Sequence, residues 1–175
     1  MLPELLITYV TRAGSTAEVA EAMGVNLRQA GVMVEVQPMH LTESLLGWKG
    51  VVLGAPLYMG RFPSEFHKFF TRHRQALAAL HPWCFVLGPT KDDAKDFAMA
   101  HDQAQKQLRK YPWFSPSEVR VFGGKFDPAT MPFPFSLLRR LPANPMSKIP
   151  ATDLRDWAAI REWATAIARQ VKSAA

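Results

Sequence analysis

Residues 5–16 read LLITYVTRAGST, an apolar, strand-like run followed by a short loop rich in hydroxyl side chains. Beyond this first loop, the spacing of apolar residues predicts a helix over residues 17–30. A loop with one glycine ahead of a helix exposes backbone N–H groups, and the helix directs the positive end of its dipole at an anion bound there. The segment therefore predicts a phosphate-binding loop at the end of the first strand.

Side chains add to the backbone donors of this first loop. Its hydroxyls can donate hydrogen bonds, and Arg12 can either add a charge-assisted bond or lie in solvent. The loop lacks the lysine of a Walker loop and the three-glycine spacing of dinucleotide-binding proteins, and its few donors favour a single phosphate. An ordinary strand-to-helix turn is the alternative, because Ser and Thr also cap helices. The candidate phosphate-binding residues are Thr11, Arg12, Ala13, Gly14, Ser15 and Thr16.

Strand and helix patterns alternate along the chain. The predicted strands are short and mostly apolar or β-branched, and they cover residues 5–10, 33–37, 50–55, 83–88 and 118–122. Helices are predicted over residues 17–30, 64–80, 93–110 and 154–172. Connections too long for hairpins favour parallel βαβ units, so the expected fold class is α/β, a doubly wound five-stranded parallel sheet with helices on both faces. The length of 175 residues fits one domain.

Composition excludes several classes of protein. The chain is 48% hydrophobic and 21% charged, as packed globular proteins are. No apolar run reaches the roughly 20 residues needed to cross a bilayer, and the few residues before the first strand leave no room for a signal sequence, so a cytoplasmic location is expected. The single cysteine, Cys84, lies in the apolar run WCFVL and is expected to be buried and unreactive.

Net charge and the spacing of the histidines indicate which binding partners are not expected. The net charge is +6, and the second half of the chain, residues 88–175, carries most of the excess. No cluster of Lys and Arg with interleaved aromatic residues is present, so nucleic-acid binding is not expected. No metal site is expected either, because His67 and His73 are six residues apart rather than four. We expect all five histidines, His40, His67, His73, His81 and His101, to be solvated or to cap helices.

Two further loops should meet the first one. In doubly wound sheets, ligands bind at the carboxyl ends of the strands, where the second loop, 56–62, and the third loop, 89–93, also lie. Tyr58 or Phe62 could stack on a planar ring, although Phe62 and Met59 could instead pack beneath the loop. A ligand whose phosphate lies in the first loop and whose planar ring lies between the other two loops would match FMN. The candidate ring-binding residues are Pro56, Leu57, Tyr58, Met59, Gly60, Pro89, Thr90, Lys91 and Asp92.

With these motifs in place, the whole chain resembles flavodoxin-like proteins. Thr11, Gly14 and Thr16 are similar to the phosphate loop of that family, and residues 54–62, GAPLYMGRF, resemble the ring-binding loop of its short, quinone-dependent protoporphyrinogen oxidase subgroup. Further similarities to the subgroup are Thr11-Arg12, Gly123-Gly124, an inserted segment before the last helix, and the sequence DLRDW at residues 153–157. Val10 and Ala13 depart from the family pattern and leave the first loop with fewer side-chain donors.

The resemblance implies a strand order of 2-1-3-4-5, FMN as the cofactor, and oxidation of protoporphyrinogen IX with electrons passed to a quinone. Lys91 and Arg61 are the cations expected near the ring edge, where either could stabilise an anionic reduced flavin. The sequence assigns no catalytic acid or base and no oligomeric state. Two alternatives remain open: an electron carrier without its own substrate, which the pI of about 9.7 disfavours because such carriers are usually acidic, and a flavin-free interaction module, which Val10 and Ala13 favour.

The predicted insertion covers about residues 125–150. Within it, residues 131–142 read MPFPFSLLRRLP, in which apolar bulk is followed by two adjacent cations. Such a segment could lie on the inner face of an anionic membrane, or form a mouth through which a quinone or a porphyrinogen reaches the flavin. The alternative is a long loop that packs back onto the domain, and the prolines disfavour a long amphipathic helix.

Overall fold

A parallel sheet of five strands forms the centre of the protein, of which this computed structural model describes residues 4–127 and 150–173. The strands are β1 Leu5–Tyr9, β2 Val34–Pro38, β3 Gly50–Pro56, β4 Trp83–Leu87 and β5 Glu118–Phe122. They lie in the order β2-β1-β3-β4-β5, and all neighbours are parallel. Every residue of β1, β3 and β4 is buried, as expected for strands covered on both faces. The predicted fold class and strand order are confirmed.

Helices cover both faces of this sheet. In the described residues they are α1 Ser15–Gln29, α2 Ser64–Arg72, α3 Arg74–Leu80, α4 Ala94–Leu108 and α5 Trp157–Ser173, with a short 3₁₀-helix at Met39–Leu41. One face packs against α1 and α5 through buried residues such as Met23 and Ile160. The other packs against α2, α3 and α4 through Phe70, Leu77 and Leu108. This arrangement leaves the carboxyl edge of the sheet open to a ligand.

The predicted helix over residues 64–80 is in fact two helices, which meet at His73. The backbone of His73 has φ −104° and ψ 22°, outside the helical range, and its ring packs 4.4 Å from that of Phe69. His73 is only 8% exposed, and its Nε2 has no hydrogen-bond partner in the part of the chain that the structure describes. His73 is the C-cap residue of α2 and the N-cap residue of α3, so the expectation that the histidines are solvated or cap helices holds for its position, although its side chain is buried and forms no capping hydrogen bond.

A second, two-stranded sheet follows β5 and was not predicted. Its strands, β6 Lys125–Phe126 and β7 Thr152–Asp153, are antiparallel and join the two ends of the predicted insertion. Residues 128–149 of that insertion, and with them the candidate membrane segment 131–142, lie outside the described residues.

Three further expectations concern Cys84, membrane-spanning helices and metal ligands. Cys84 is buried in β4, and its burial raises the pKa of the thiol far above its ordinary value, as expected for an unreactive cysteine. None of the helices in residues 4–127 and 150–173 has the length and apolar character needed to cross a bilayer. Across the same residues, no three His, Cys, Asp or Glu side chains cluster as metal ligands would.

Candidate functional site

The first loop turns sharply into α1 at Gly14. The backbone of Gly14 has φ +87°, in the left-handed region that side chains disfavour, and no atom would lie within 4 Å of a Cβ added there. The N–H of Gly14 donates a hydrogen bond to Thr11 Oγ1 at 3.0 Å. This bond leaves the Thr11 O–H free to donate to a ligand. It also fixes the loop in the shape that brings the chain to the first turn of α1.

Thr16 carries a buried hydroxyl without a partner. The residue is 1% exposed, and its Oγ1 makes no hydrogen bond to any residue that the structure describes. An unsatisfied buried hydroxyl costs free energy, and such groups are rare in folded proteins. Thr16 lies in the first turn of α1, where backbone N–H groups also lack partners within the helix. Donors of both kinds therefore meet at this helix terminus, as a phosphate would require.

Arg12 connects the first loop to the second. Its guanidinium lies 6.0 Å from the centroid of the Tyr58 ring and 3.6 Å from Glu65 Oε2, in the first turn of α2. Burial raises the pKa of Tyr58, and the charge of Arg12 partly opposes that rise. Although Arg12 is half exposed, its guanidinium contacts Tyr58 and Glu65. One of its two predicted placements, free in solvent, is therefore not observed.

The second loop is a tight hairpin turn. Tyr58 and Arg61 exchange two backbone hydrogen bonds of 2.9 and 3.0 Å, and both residues between them have positive φ, +49° at Met59 and +74° at Gly60. Two positive values are typical of a type I′ turn, in which a methionine is unusual. Met59 is fully exposed, whereas Phe62 is 5% exposed and packs on Phe66. The alternative in which Phe62 and Met59 pack beneath the loop is thus correct for Phe62 and wrong for Met59.

A cleft of about 270 Å³ separates the second loop from the third. It brings together six of the nine predicted ring-binding residues, namely Leu57, Met59, Gly60, Pro89, Thr90 and Lys91. Of the other three, Pro56 ends β3 and is buried, Tyr58 is 43% exposed beside Arg12, and Asp92 is exposed. The side chain of Tyr58 is therefore accessible for stacking, whereas that of Phe62 is not.

One wall of this cleft comes from α4, which the sequence reasoning missed. Asp96, Met99, Ala100 and Gln103 line it, and Gly88 adds backbone at the end of β4. Their spacing of three and four residues places them on one face of a helix. That face begins directly after the third loop, so the periodicity of α4 was a signal that could have found them.

The turn of the second loop is fixed against α4. Gln107 Nε2 donates to the carbonyl oxygen of Gly60 at 3.3 Å. A Cβ on Gly60 would lie 2.9 Å from the side chain of Gln103, and its positive φ disfavours any other residue. Gly60 is therefore favoured mainly by its conformation, because the end of the flexible Gln103 side chain could move away from a Cβ.

Gly123 and Gly124 hold the third loop against the segment that precedes α5. The N–H of Gly124 donates to Pro89 O at 2.7 Å, and the N–H of Leu154 donates to Gly124 O at 3.0 Å. A Cβ on Gly123 would lie 2.0 Å from Leu154 O, which no side chain tolerates. The chain after β5 thus fixes the third loop through backbone hydrogen bonds.

Comparison with known proteins agrees with this geometry. The model of the flavodoxin domain family matches residues 6–134. Protoporphyrinogen IX dehydrogenase [quinone] of Escherichia coli is 31% identical over 123 residues, which cover 68% of this chain and 67% of that protein. These matches confirm the resemblance inferred from the sequence.

Solved structures share the fold. Oxidised flavodoxin 2 from Bacillus cereus aligns with a TM-score of 0.58 and 19% identity, covering 98% of this chain and 99% of that one. An archaeal flavodoxin aligns with a TM-score of 0.56 and 14% identity, covering 97% and 99%. A flavodiiron core from Synechocystis aligns with a TM-score of 0.61 and 17% identity, covering 99% of this chain and 37% of that one.

Proposed function

The chain belongs to the flavodoxin domain family, and from that premise we propose that it binds FMN and acts as a flavin-dependent oxidoreductase. The observation that carries the proposal is the cleft between the second and third loops, which opens at the same edge of the sheet as the first loop. A ring in the cleft and a phosphate at the first loop would use all three loops together.

The residues of the first loop fit a phosphate. The unpartnered hydroxyl of Thr16 and the free N–H groups of the first turn of α1 would supply donors, and the O–H of Thr11 would add another. Val10 and Ala13 offer no side-chain donor, so the backbone supplies most of the hydrogen bonds. The proposed phosphate ligands are Thr11, Arg12, Ala13, Gly14, Ser15 and Thr16.

The residues of the cleft fit a planar ring. Leu57 and Met59 on one side and Pro89 on the other offer apolar surface, and Lys91 brings a cation to the same cleft. The half-exposed ring of Tyr58 would stack or cover one edge. When bound, FMN would supply an acceptor that takes up one or two electrons and passes them on. The Lys91 ammonium would stabilise negative charge on the ring, and the apolar walls would exclude water.

A finer proposal concerns the substrate. The Escherichia coli relative is named for the dehydrogenation of protoporphyrinogen IX with a quinone, and this chain shares with it 31% of the aligned residues. We propose the same substrate and acceptor classes for this chain. The candidate functions that compete with it are an electron carrier and a flavin-free interaction module of the same fold.

Absorbance spectroscopy tests the proposed cofactor. The purified protein, mixed with excess FMN and desalted, should keep bands near 370 and 450 nm, at about the positions of oxidised flavin. A colourless protein after desalting, together with no quenching of FMN fluorescence on titration, would contradict FMN binding and favour the flavin-free module.

Anaerobic assays then distinguish the oxidoreductase from the carrier. Protoporphyrinogen IX and menaquinone should support turnover measured as porphyrin fluorescence, and Thr16→Val should reduce the rate at limiting FMN. A carrier would give no turnover with any quinone and would show a stable one-electron intermediate on reductive titration. If the protein retains FMN but gives no turnover with this substrate, the result supports the proposed cofactor and contradicts the proposed substrate.

A further inference from the structure

Arg155 is a buried arginine just before α5. Its side chain is 3% exposed, and among residues 4–127 and 150–173 no other Lys, Arg, Asp or Glu is buried. Nε and Nη2 donate to the two carboxylate oxygens of Asp153 at 2.8 and 2.6 Å. Nη1 donates to Glu18 Oε2 at 2.6 Å, and the guanidinium lies 4.6 Å from the centroid of the Trp157 ring.

This arrangement is costly to build. Burying a guanidinium requires the loss of its hydration, which only well-placed partners offset. The planar fork of arginine meets that need, because it can bind one carboxylate with two bonds and still reach a second. Burial acts to raise the pKa of Glu18, but the hydrogen bond and charge of Arg155 outweigh it, so the pKa lies below its usual range. Both carboxylates are therefore charged partners at neutral pH.

The first partner of Arg155 belongs to the phosphate end of the site. Glu18 lies in the first turn of α1, two residues after Thr16, and its N–H donates to the carbonyl oxygen of Gly14 at 3.0 Å. A second cation, Lys125 of β6, lies 3.4 Å from the other carboxylate oxygen of Glu18. Two cations, Arg155 and Lys125, thus contact Glu18 in the first turn of α1.

The second partner belongs to the ring end. Asp153 lies in β7, and its neighbour Leu154 donates to Gly124, which in turn donates to Pro89 of the third loop. Pro89 lines the cleft. A short chain of hydrogen bonds therefore leads from Arg155 to each end of the site, while the described bonds of Arg155 itself reach none of the three loops.

We propose that Arg155 is a positioning residue that fixes the first turn of α1 relative to the third loop. It thereby sets the separation between the phosphate subsite and the ring subsite. This inference rests on the proposed binding of FMN. A ligand that occupies both subsites gains affinity when their spacing is held, because the second contact is then made at high effective concentration. A ligand that occupies one subsite gains nothing from that spacing.

The test compares FMN with riboflavin, which has the same ring and no phosphate, on the full chain. In Arg155→Lys, which keeps the charge and loses the fork, we expect the Kd of FMN to rise about tenfold and that of riboflavin to stay within about twofold. Glu18→Gln, which leaves the contact of Arg155 with Asp153 intact and weakens the contacts of α1 with Arg155 and Lys125, should give the same ratio. Combining both changes should add little to either alone, because they interrupt one connection.

Arg120→Lys is the matched control. Arg120 also forms a two-bond contact, through Nε and Nη2 to Glu118 Oε1, but it is half exposed on β5 and leads to neither subsite. It should leave both affinities unchanged. Thermal melts of each apo variant would separate loss of fold from loss of spacing.

The outcomes separate the two proposals. Wild-type protein that binds neither FMN nor riboflavin overturns the proposed function and this inference with it. Wild-type protein that binds FMN, with Arg155→Lys weakening FMN and riboflavin equally or changing neither, overturns the positioning role alone. A selective loss of FMN affinity in both Arg155→Lys and Glu18→Gln, absent in Arg120→Lys, supports it.

Discussion

The guanidinium of Arg12 lies 6.0 Å from the centroid of the Tyr58 ring, so the first and second loops contact each other through a cation and an aromatic face. The contact holds Tyr58 at 43% exposure beside the first loop rather than in the cleft. Arg12 also meets Glu65, which fixes the direction of its side chain. Arg12 can therefore orient the one exposed aromatic ring of the second loop for a ligand.

Replacing Arg12 should weaken FMN binding by a modest factor. A cation–π contact at an exposed site is worth about 0.5–1 kcal/mol, so the lost contact with Tyr58 alone should raise the Kd of FMN about two- to fivefold in Arg12→Gln, measured by fluorescence quenching, and a lost contact with the phosphate would add to this rise. Glu65→Gln is the control, because it removes only a half-exposed ion pair, which is worth little, and should change the Kd by less than about twofold. Equal effects of the two changes would show that the ion pair, rather than the Tyr58 contact, matters.

Thr16→Val should separate binding from stability. The buried hydroxyl has no partner among the described residues, so removing it should leave the apo protein equally stable or slightly more stable. The same change removes a proposed phosphate donor, and we expect the Kd of FMN to rise about ten- to a hundredfold, because a hydrogen bond to a charged group is worth about 1.5–3 kcal/mol. Thermal melts of the apo protein and FMN titrations measure the two effects.

Thr165→Val is the matched control for Thr16→Val. Thr165 is an exposed threonine of α5 whose hydroxyl donates to the carbonyl oxygen of Arg161. Thr165→Val should therefore leave the affinity for FMN unchanged. If Thr16→Val destabilised the apo protein by more than about 1 kcal/mol, the hydroxyl would have a structural partner and its assignment to the phosphate would fail.

The sequence predicted the sheet better than the site, for physical reasons. The strands are buried on both faces, so continuous apolar runs such as residues 83–87 mark them directly. The break at His73 left no local signal, because apolar residues continue at helical spacing through Phe66, Phe70 and Leu77. The contact between Glu18 and Arg155 spans 137 positions in the sequence and depends on tertiary packing alone.

Met59→Asn should stabilise the protein. Met59 is fully exposed, so its side chain contributes no packing, yet its φ of +49° is unfavourable for methionine. Asn followed by Gly is the preferred pair for a type I′ turn, so we expect a gain of about 0.5–1 kcal/mol, or about 1–4 °C in Tm. Met59→Ala is the control, because alanine retains the strain and should give no gain. A rise in Tm with both variants would attribute the effect to loss of the exposed side chain instead.

His73 should make the stability of the fold depend on pH. Burial, assisted by the charge of Arg72, lowers the pKa of His73 below its ordinary value of about 6.5, so the folded state holds the ring neutral. In the unfolded chain His73 takes up a proton as the pH falls through about 6.5, whereas in the folded protein it does so only at lower pH. Its contribution to stability is therefore complete above about pH 6.5 and is lost as the pH falls through the folded pKa.

Urea unfolding of the apo protein at pH 7.5 and pH 5.5 measures this contribution. The free energy of unfolding should fall between these two pH values by a larger amount in the wild type than in His73→Gln, which cannot take up the proton. The pKa of His67 is lowered in the same direction by its burial, so only the difference between the two proteins isolates His73. If His73→Gln and the wild type lost the same free energy between the two pH values, His73 would accept its proton in the folded state without cost, and the buried Nε2 would have to gain a partner on protonation.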